Sequence, residues 1–164
     1  MKVYIDMDGV LADFFSEACK LSPTPAAGWH KLGFRDVDKA IDRARKEELF
    51  FEKLYMYPEA RTLVQSVVNI FGEYHICSSP LVGYEGNCAQ EKINWLKKYM
   101  HIVPASIEIT TDKTKYAKGN ILIDDYGHNI RKWEEAGGFG IKYQADEDRV
   151  SDALIPLMAL SKKF

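Results

Sequence analysis

Short apolar runs alternate along this chain with longer segments that have the periodicity of amphipathic helices. Five runs have the length and composition of buried strands, namely KVYIDM, YHIC, SIEIT, NILIDD and FGIKY. The clearest helical segment runs from residue 57 to residue 74 and carries apolar residues three and four positions apart. Such alternation is typical of a parallel sheet covered by helices. The sequence therefore predicts an α/β domain built on a doubly wound, Rossmann-like parallel sheet.

The stretch from Phe14 to Tyr57 interrupts this alternation. It separates the first strand from the second by far more residues than one crossover helix needs. FFSEACKL and DVDKAIDRARKEELFFEKL have helical patterns, and the segment between them is rich in proline and glycine. We therefore expect a small α-helical cap at residues 14–57, inserted into a core formed by residues 1–13 and 58–164. An ornamental surface excursion is the alternative, but long insertions in compact domains are more often functional.

Composition narrows the classes of function. The 164 residues, 46% of them hydrophobic, suffice for one sizeable core. A formal net charge of −2 gives no broad cationic surface, so we expect no binding to duplex nucleic acid or to a membrane. Cys19, Cys77 and Cys88 are an odd set without a C-x-x-C pair, and no signal peptide or membrane span is recognisable. We therefore expect a soluble cytoplasmic protein, with a homodimer left open.

Polar residues follow four of the predicted strands. They are Asp6 and Asp8 after the first strand, Ser78 and Ser79 after YHIC, Lys113 after SIEIT, and Asp124 with Asp125 at the end of NILIDD. The carboxyl ends of parallel strands form one edge of a sheet, and ligands bind there where the strand order reverses. We therefore expect these side chains to meet in one crevice.

The carboxylates of this set need a counter-charge. Asp6, Asp8 and Asp124 would repel one another and a phosphate dianion unless a divalent cation lies between them. Magnesium is a hard ion that takes oxygen ligands beside a phosphate. Taken singly, the aspartates fit helix capping and Lys113 fits a solvated surface charge. Their joint placement with the Ser78 hydroxyl instead predicts magnesium-dependent phosphoryl transfer to a carboxylate.

Four motifs, in order, resemble those of the haloacid dehalogenase (HAD) superfamily of aspartyl-phosphate phosphatases. They are DMDGVLAD, the serine of CSSP, the lysine of TDKT and the acidic pair of LIDD. Within that superfamily the chain is most similar to the 5′(3′)-deoxyribonucleotidases, because FFEKL and the C-x-x-E-K-x-x-W pattern at residues 88–95 also fall in that family's order. Four motifs in order are a strong signal, whereas one alone would be weak. The resemblance implies a HAD-like core with the insertion as its cap.

The resemblance also implies a role for the acidic residues. Asp6 would be the nucleophile that becomes an aspartyl phosphate. Asp8 would protonate the leaving nucleoside oxygen and later activate the hydrolytic water. Magnesium would be bound by the carboxylates of Asp6 and Asp124 and by the backbone carbonyl of Asp8. Asp125 would support the metal through water.

Substrate-binding residues are implied in the same way. Ser78, Ser79 and Lys113 would bind the phosphoryl group, and Gly9 would let the backbone turn closely around it so that its N–H can donate. A nucleoside monophosphate would place its base against the aromatic residues of the cap, which are Phe14, Phe15, Trp29, Phe50 and Phe51. For Phe50 and Phe51, packing between cap and core is an equally good interpretation.

The chain departs from the family pattern at two positions. Ser78 stands where the animal enzymes usually have threonine, and Thr111 stands where they carry arginine before DKT. The cap is also shorter, so base and sugar preference stay open. A HAD phosphatase for another phosphate ester, such as a sugar phosphate, and a catalytically silent metal-binding interaction domain are the alternatives. Lys92 either supports the phosphate site or lies on a solvated helix face.

Overall fold

The computed structural model describes residues 1–24 and 28–163. The strands are β1 (Val3–Ile5), β2 (His75–Ser78), β3 (Ser106–Ile109), β4 (Ile121–Asp124) and β5 (Phe139–Lys142). The α-helices are α1 (Phe14–Lys20), α2 (Phe34–Ala44), α3 (Phe50–Lys53), α4 (Ala60–Phe71), α5 (Cys88–Tyr99), α6 (Gly127–Glu135) and α7 (Val150–Ser161). Short 3-10 helices cover Trp29–Lys31 and Lys113–Tyr116. Within the described ranges, no helix is long and apolar enough to cross a bilayer.

The five strands form one parallel sheet in the order β3-β2-β1-β4-β5. The chain builds outward from β1 through β2 and β3, and then continues with β4 on the other side of β1. The strand order therefore reverses between β1 and β4, where open α/β sheets bind their ligands. Ile5, the last residue of β1, is paired with Ile123 of β4. This pairing places the residues that follow these two strands side by side.

Side chains of the strands alternate between two apolar layers, as the two-residue repeat of a strand requires. Val3 and Ile5 belong to the larger layer, to which α4, α5 and α7 contribute, whereas Tyr4 belongs to the smaller layer formed with α6. Trp95 of α5 and Trp133 of α6 are fully buried in these layers. Helices thus cover both faces of the sheet, which confirms the predicted fold class.

The segment from residue 14 to residue 57 differs from its predicted helical pattern. The helical pattern read through residues 36–54 is interrupted, because α2 starts at Phe34 and ends at Ala44, and α3 starts only at Phe50. Leu49 has a φ of 53°, a left-handed conformation that cannot continue a right-handed helix. Apolar spacing continues through this break and therefore does not reveal it. Residues 25–27 of the predicted cap lie outside the described residues.

The backbone at Gly138 approaches its neighbours so closely that it leaves no room for a side chain. A Cβ on Gly138 would lie 2.2 Å from Nε1 of Trp133 and 2.7 Å from the backbone oxygen of Ala117. We predict that Gly138→Ala lowers the free energy of unfolding by about 1–3 kcal/mol, because buried groups must shift. Urea denaturation followed by tryptophan fluorescence measures this change. Gly127→Ala is the control, since the nearest atom to a Cβ at that position is Nη1 of Arg131 at 3.9 Å. Equal losses in the two variants would contradict the prediction.

Candidate active site

The ends of β1 and β4 bring two buried carboxylates together. Asp6 directly follows β1, and its backbone N–H donates to the carbonyl of Ile123 at 2.9 Å. Asp124 is the last residue of β4. The Lys113 ammonium lies between the two carboxylates, 2.8 Å from Oδ2 of Asp6 and 2.6 Å from Oδ2 of Asp124. Three residues that are distant in sequence therefore meet at the strand-order reversal.

Further hydrogen bonds fix the orientation of both carboxylates. The backbone N–H of Met7 donates to Oδ1 of Asp6 at 2.7 Å. The backbone N–H of Tyr126 donates to Oδ1 of Asp124 at 2.8 Å. The Asn129 amide, on the first turn of α6, lies 3.2 and 3.1 Å from the two oxygens of Asp124. The carboxylates are therefore held in place before any ligand binds.

A helix N-cap at Asp112 positions Lys113. This lysine begins the 3-10 helix that follows β3, and the carboxylate of its N-cap residue Asp112 accepts from the N–H of Thr114 at 3.1 Å. Aspartate is favoured at this position because its short side chain satisfies the free N–H groups of a first turn. The Asp112 N-cap turns the chain so that Lys113 reaches inward across the edge of the sheet.

Lys92 is a second buried lysine of the same cluster. From α5 its ammonium donates to Oδ2 of Asp8 at 2.7 Å, to Oγ of Ser78 at 2.8 Å and to the carbonyl of Ser79 at 3.0 Å. The residue is fully buried, so the interpretation as a solvated helix face is wrong. Lys92 joins the first strand end to the second, and it places the Ser78 hydroxyl inside the network.

Gly9 supports the site by its lack of a side chain. Its N–H donates to the carbonyl of Ala12 at 3.0 Å, and its donation to a phosphate stays a prediction. Its φ of 79° favours glycine. A Cβ there would lie 2.7 Å from Cγ of Asp125 and 2.8 Å from Cε2 of Phe15. Glycine is required because Asp125 and Phe15 press against this turn.

Three carboxylates could hold a metal ion together. Oxygens of Asp6, Asp124 and Asp125 lie within 4.8 Å of one another, the first two buried and the third half-buried. A set of carboxylate oxygens at one edge suits a hard divalent cation such as magnesium. Counting Asp8, four carboxylates face the ammonium groups of Lys92 and Lys113, so the ionised cluster lacks about two positive charges. The residues present therefore fit one divalent cation.

The environments of Asp6 and Asp8 push their pKa values apart. Burial raises the pKa of Asp6, but the nearby Lys113 and Lys92 ammonium groups outweigh it and hold that pKa below its usual value. Burial raises the pKa of Asp8, and Lys92 offsets only part of this effect. Oδ1 of Asp8 is buried, and no group of the described residues is hydrogen-bonded to it. Asp6 is therefore suited to act as an anion, and Asp8 is suited to carry a proton.

The pKa values of the other two carboxyl groups, Asp124 and Asp125, are raised. Burial and the neighbouring Asp6 raise the pKa of Asp124 to about 6. Burial, followed by repulsion from Asp6 and Asp124, raises the pKa of Asp125 to about 8. For Lys113, burial opposes ionisation, yet the two carboxylates beside it raise its pKa. The site therefore resists accumulating further negative charge unless a cation enters.

The five aromatic residues expected to contact a base lie in three different surroundings. Phe50 and Phe51 are buried, so the structure favours packing for them over contact with a base. Phe14 lies among the other cap rings, with ring centroids 5.7 Å from Phe50 and 6.0 Å from Trp29. Phe15 and Trp29, with centroids 5.8 Å apart, line a cavity of about 540 Å³.

This cavity reaches the turn at Gly9 through Phe15, and no carboxylate of the cluster is among its lining residues in the described part of the chain. Asp146 and Glu147, which follow β5, line its other side. The preceding Ala145 donates its N–H to the carbonyl of Gly9 at 2.9 Å, and Phe15 packs against the same glycine. The volume of the cavity falls in the usual range of small-molecule sites, about 300–1,000 Å³. The turn at Gly9, which directly follows Asp8, thus contacts both Phe15 of the cavity wall and Ala145.

A family model described as 5′ nucleotidase, deoxy (pyrimidine), cytosolic type C protein matches residues 1–149. The chain belongs to this family. It is therefore a phosphoric monoester hydrolase of the 5′-nucleotidase type. The human cytosolic-type 5′(3′)-deoxyribonucleotidase is 29% identical over 145 residues, which cover 76% of this chain and 70% of the human protein. Membership of an enzyme family counts against the catalytically silent alternative.

Solved structures confirm the HAD-like fold of this 5′-nucleotidase. A haloacid dehalogenase-like hydrolase from Streptococcus pneumoniae aligns with a TM-score of 0.61 and 14% identity, over 99% of this chain and 98% of that chain. A HAD family enzyme from Bacteroides thetaiotaomicron, solved in complex with magnesium and inorganic phosphate, aligns with a TM-score of 0.51 and 13% identity. That alignment covers 90% of this chain and 96% of the other. At these identities the likeness concerns the fold.

Sequence reasoning missed one residue of the nucleotidase site and left another undecided. Asn129 holds Asp124 through its amide, and its signal was only its position one helical turn after LIDD. Lys92 was undecided because a charged residue on a helix is usually solvated. Glu91 beside it is also buried in the structure, but the sequence carries no sign of either burial.

Lys113 is the cation on which the metal-free site depends. We predict that Lys113→Met lowers the free energy of unfolding by about 3–5 kcal/mol in the presence of a chelator, because two buried carboxylates lose their shared partner. Urea denaturation at neutral pH measures the effect. Lys115→Met makes the same chemical change at an exposed position two residues away and should have little effect. A Lys113→Met variant as stable as the parent would contradict the assigned ion pairs.

Proposed function

We propose that this protein is a magnesium-dependent 5′(3′)-deoxyribonucleotidase that works through an aspartyl-phosphate intermediate. Residues 14–57 serve as a cap over a HAD-like core, and the substrate is a small-molecule nucleoside monophosphate. The printed name of the human relative and the family description support this substrate class. A cytoplasmic location fits the three free cysteines and the cytosolic type of that relative.

One observation carries the mechanism. Asp6 and Asp8 are two residues apart, yet their environments favour opposite protonation states. A pair of carboxyl groups whose pKa values are pushed apart is the usual mark of an acid paired with a nucleophile or base. The lysines cause this difference, because Asp6 has the larger share of their positive charge.

The first half of the reaction transfers the phosphoryl group to Asp6. Its carboxylate attacks phosphorus, and the bond from phosphorus to the nucleoside oxygen breaks. Asp8 gives its proton to that departing oxygen, so the nucleoside leaves as a neutral alcohol. Lys113, Lys92 and the Ser78 hydroxyl stabilise the negative charge on the phosphoryl oxygens. Ser79 is the remaining candidate phosphate contact of this loop.

The second half returns the enzyme to its starting state. Asp8, now ionised, accepts a proton from a water molecule as that water attacks phosphorus of the aspartyl phosphate. The bond from phosphorus to the Asp6 oxygen breaks, inorganic phosphate leaves, and Asp6 is again a carboxylate. One residue thus acts first as an acid and then as a base.

The same edge of the sheet would hold the metal. The carboxylates of Asp6 and Asp124 and the backbone carbonyl of Asp8 would bind magnesium, with Asp125 acting through water. When bound, magnesium polarises the phosphoryl group and offsets its negative charge. The magnesium and phosphate bound by the Bacteroides enzyme of the same fold support this choice of ion.

The cap cavity is the candidate nucleoside site. Phe15 and Trp29 line it, and they keep the base-contacting role among the five cap aromatics. Phe15 also touches the turn at Gly9, so a base held there would lie next to the phosphoryl site. An aromatic wall of this kind holds a flat base by stacking.

We predict that Asp6→Asn lowers turnover by about 10⁴-fold or more, because an amide cannot form the covalent intermediate. Phosphate release measures the effect, with deoxyribonucleoside, ribonucleoside and sugar monophosphates tested with and without magnesium. Asp38→Asn, an exposed site on α2, is the control and should match the parent. Near-normal turnover by Asp6→Asn would overturn the mechanism. A preference for sugar phosphates over every nucleotide would leave the mechanism and overturn the substrate class.

Magnesium binding should depend on pH. With a pKa of about 8, Asp125 keeps its proton at neutral pH in the metal-free site, whereas Asp124, with a pKa of about 6, is mostly ionised there. A cation must displace the protons that these groups carry, so the affinity for magnesium is expected to rise as the pH increases from about 6 to about 8. Calorimetric titration in two buffers with different ionisation enthalpies measures the protons released. An affinity that is independent of pH, with no proton release, would contradict the assigned metal site.

A further inference from the structure

Helix α3 begins without a cap from its own segment. Its N-cap residue Leu49 offers no side-chain hydrogen bond, and the backbone N–H groups of Phe50 and Phe51 point out of the first turn. Such N–H groups need acceptors when they are buried. The acceptors here come from outside the segment. The Tyr84 hydroxyl oxygen accepts from Phe50 at 2.9 Å, and Oε2 of Glu91 accepts from Phe51 at 3.1 Å.

Tyr84 and Glu91 are themselves joined. The Tyr84 hydroxyl lies 2.9 and 3.0 Å from the two carboxylate oxygens of Glu91. Burial, together with the Glu91 carboxylate, raises the pKa of Tyr84 to about 12, so the phenol keeps the proton that it donates. A Cβ on Gly86 would lie 2.7 Å from Oε1 of Glu91 and 2.6 Å from Cε1 of Tyr84, so glycine permits this close packing.

Burying the Glu91 carboxylate at this position is energetically unfavourable. It is only 4% exposed, and no lysine, arginine or histidine of the described residues lies within ion-pair distance of its carboxylate. A buried carboxylate without a cation is unfavourable unless hydrogen bonds offset the loss of water. Its partners are the first turn of α3 and Tyr84. Glu91 therefore joins α5 to α3 through these hydrogen bonds.

This contact lies next to the phosphate site. Glu91 directly precedes Lys92 on α5, and the ring of Phe51 lies 4.9 Å from the Lys92 ammonium. Lys92 in turn donates to Asp8 and Ser78. Phe51 therefore donates its backbone N–H to Glu91 and covers the Lys92 ammonium with its ring. Displacement of Phe51 would therefore remove one wall from around the Lys92 ammonium.

We propose that Glu91 and Tyr84 are positioning residues. They accept hydrogen bonds from the first turn of α3 and thereby hold Phe51 over Lys92. The Lys92 ammonium then stays hydrogen-bonded to Asp8 and Ser78. The proposal rests on the proposed function only in taking Lys92 as part of the phosphate site. Residues 14–57 would then have a second role besides contacting the substrate, because Phe51, near the end of this segment, holds Lys92 of the charged cluster in place.

Glu91→Ala and Tyr84→Phe test the proposal, with Glu91→Gln as the conservative variant. The measured quantities are kcat and KM for p-nitrophenyl phosphate and the affinity for inorganic phosphate, well below each variant's melting temperature. Glu91→Ala should lower kcat by about ten- to a hundredfold and weaken phosphate binding, because a misplaced group near the reacting atoms has effects of this size. Glu91→Gln should recover most of the loss, since its amide oxygen still accepts from Phe51.

Asn94→Ala is the matched control. The Asn94 amide donates to Glu52 at 2.9 Å and so also joins α5 to α3, but it contacts neither Phe51 nor Lys92. It should lower the melting temperature and leave kcat and phosphate affinity unchanged. Equal losses of kcat in Asn94→Ala and Glu91→Ala, or an unchanged kcat and phosphate affinity in Glu91→Ala, would overturn the proposal. If the parent protein hydrolyses no ester, the proposed function fails, and the phosphate titration alone decides this inference.

Discussion

The ion pairs from Lys113 to Asp6 and Asp124 are the contacts on which the site depends. They exist because the strand order reverses between β1 and β4, which places two carboxylates side by side at one edge of the sheet. Burying two such charges is unfavourable unless a cation and well-placed donors compensate them. The capped turn after β3, the amide of Asn129 and the backbone N–H groups supply that compensation. The architecture of the sheet and the electrostatics of the site therefore have one origin.

The distribution of positive charge then separates the roles of the acidic residues. Lys113 and Lys92 lower the pKa of Asp6, whereas burial dominates at Asp8 and raises its pKa. Two aspartates that are two residues apart thus favour opposite protonation states. The ionised cluster lacks about two positive charges, which suits a divalent cation, and burial followed by repulsion from Asp6 and Asp124 raises the pKa of Asp125. The proposed metal binding and the proposed acid catalysis would both follow from this distribution of charge.

Sequence alone predicted the sheet and the residues at its carboxyl edge, because buried strands and the polar residues that end them leave a strong local pattern. It did not predict the break before α3, because the backbone conformation of Leu49 leaves the apolar spacing unchanged. The hydrogen bond from Gly9 to Ala12 depends on a turn whose closure no spacing reveals. Lys92 was ambiguous for a similar reason, since its burial depends on Phe51 and on the cap. Such features arise from contacts between distant segments.

A crystal structure grown with manganese in place of magnesium, with anomalous diffraction data, tests most directly whether the charged cluster is a metal site. We expect one strong anomalous peak at the reversal between β1 and β4, bound by carboxylate oxygens of Asp6 and Asp124. Absence of a peak there at saturating manganese, or a peak bound only by other acidic residues, would contradict the account.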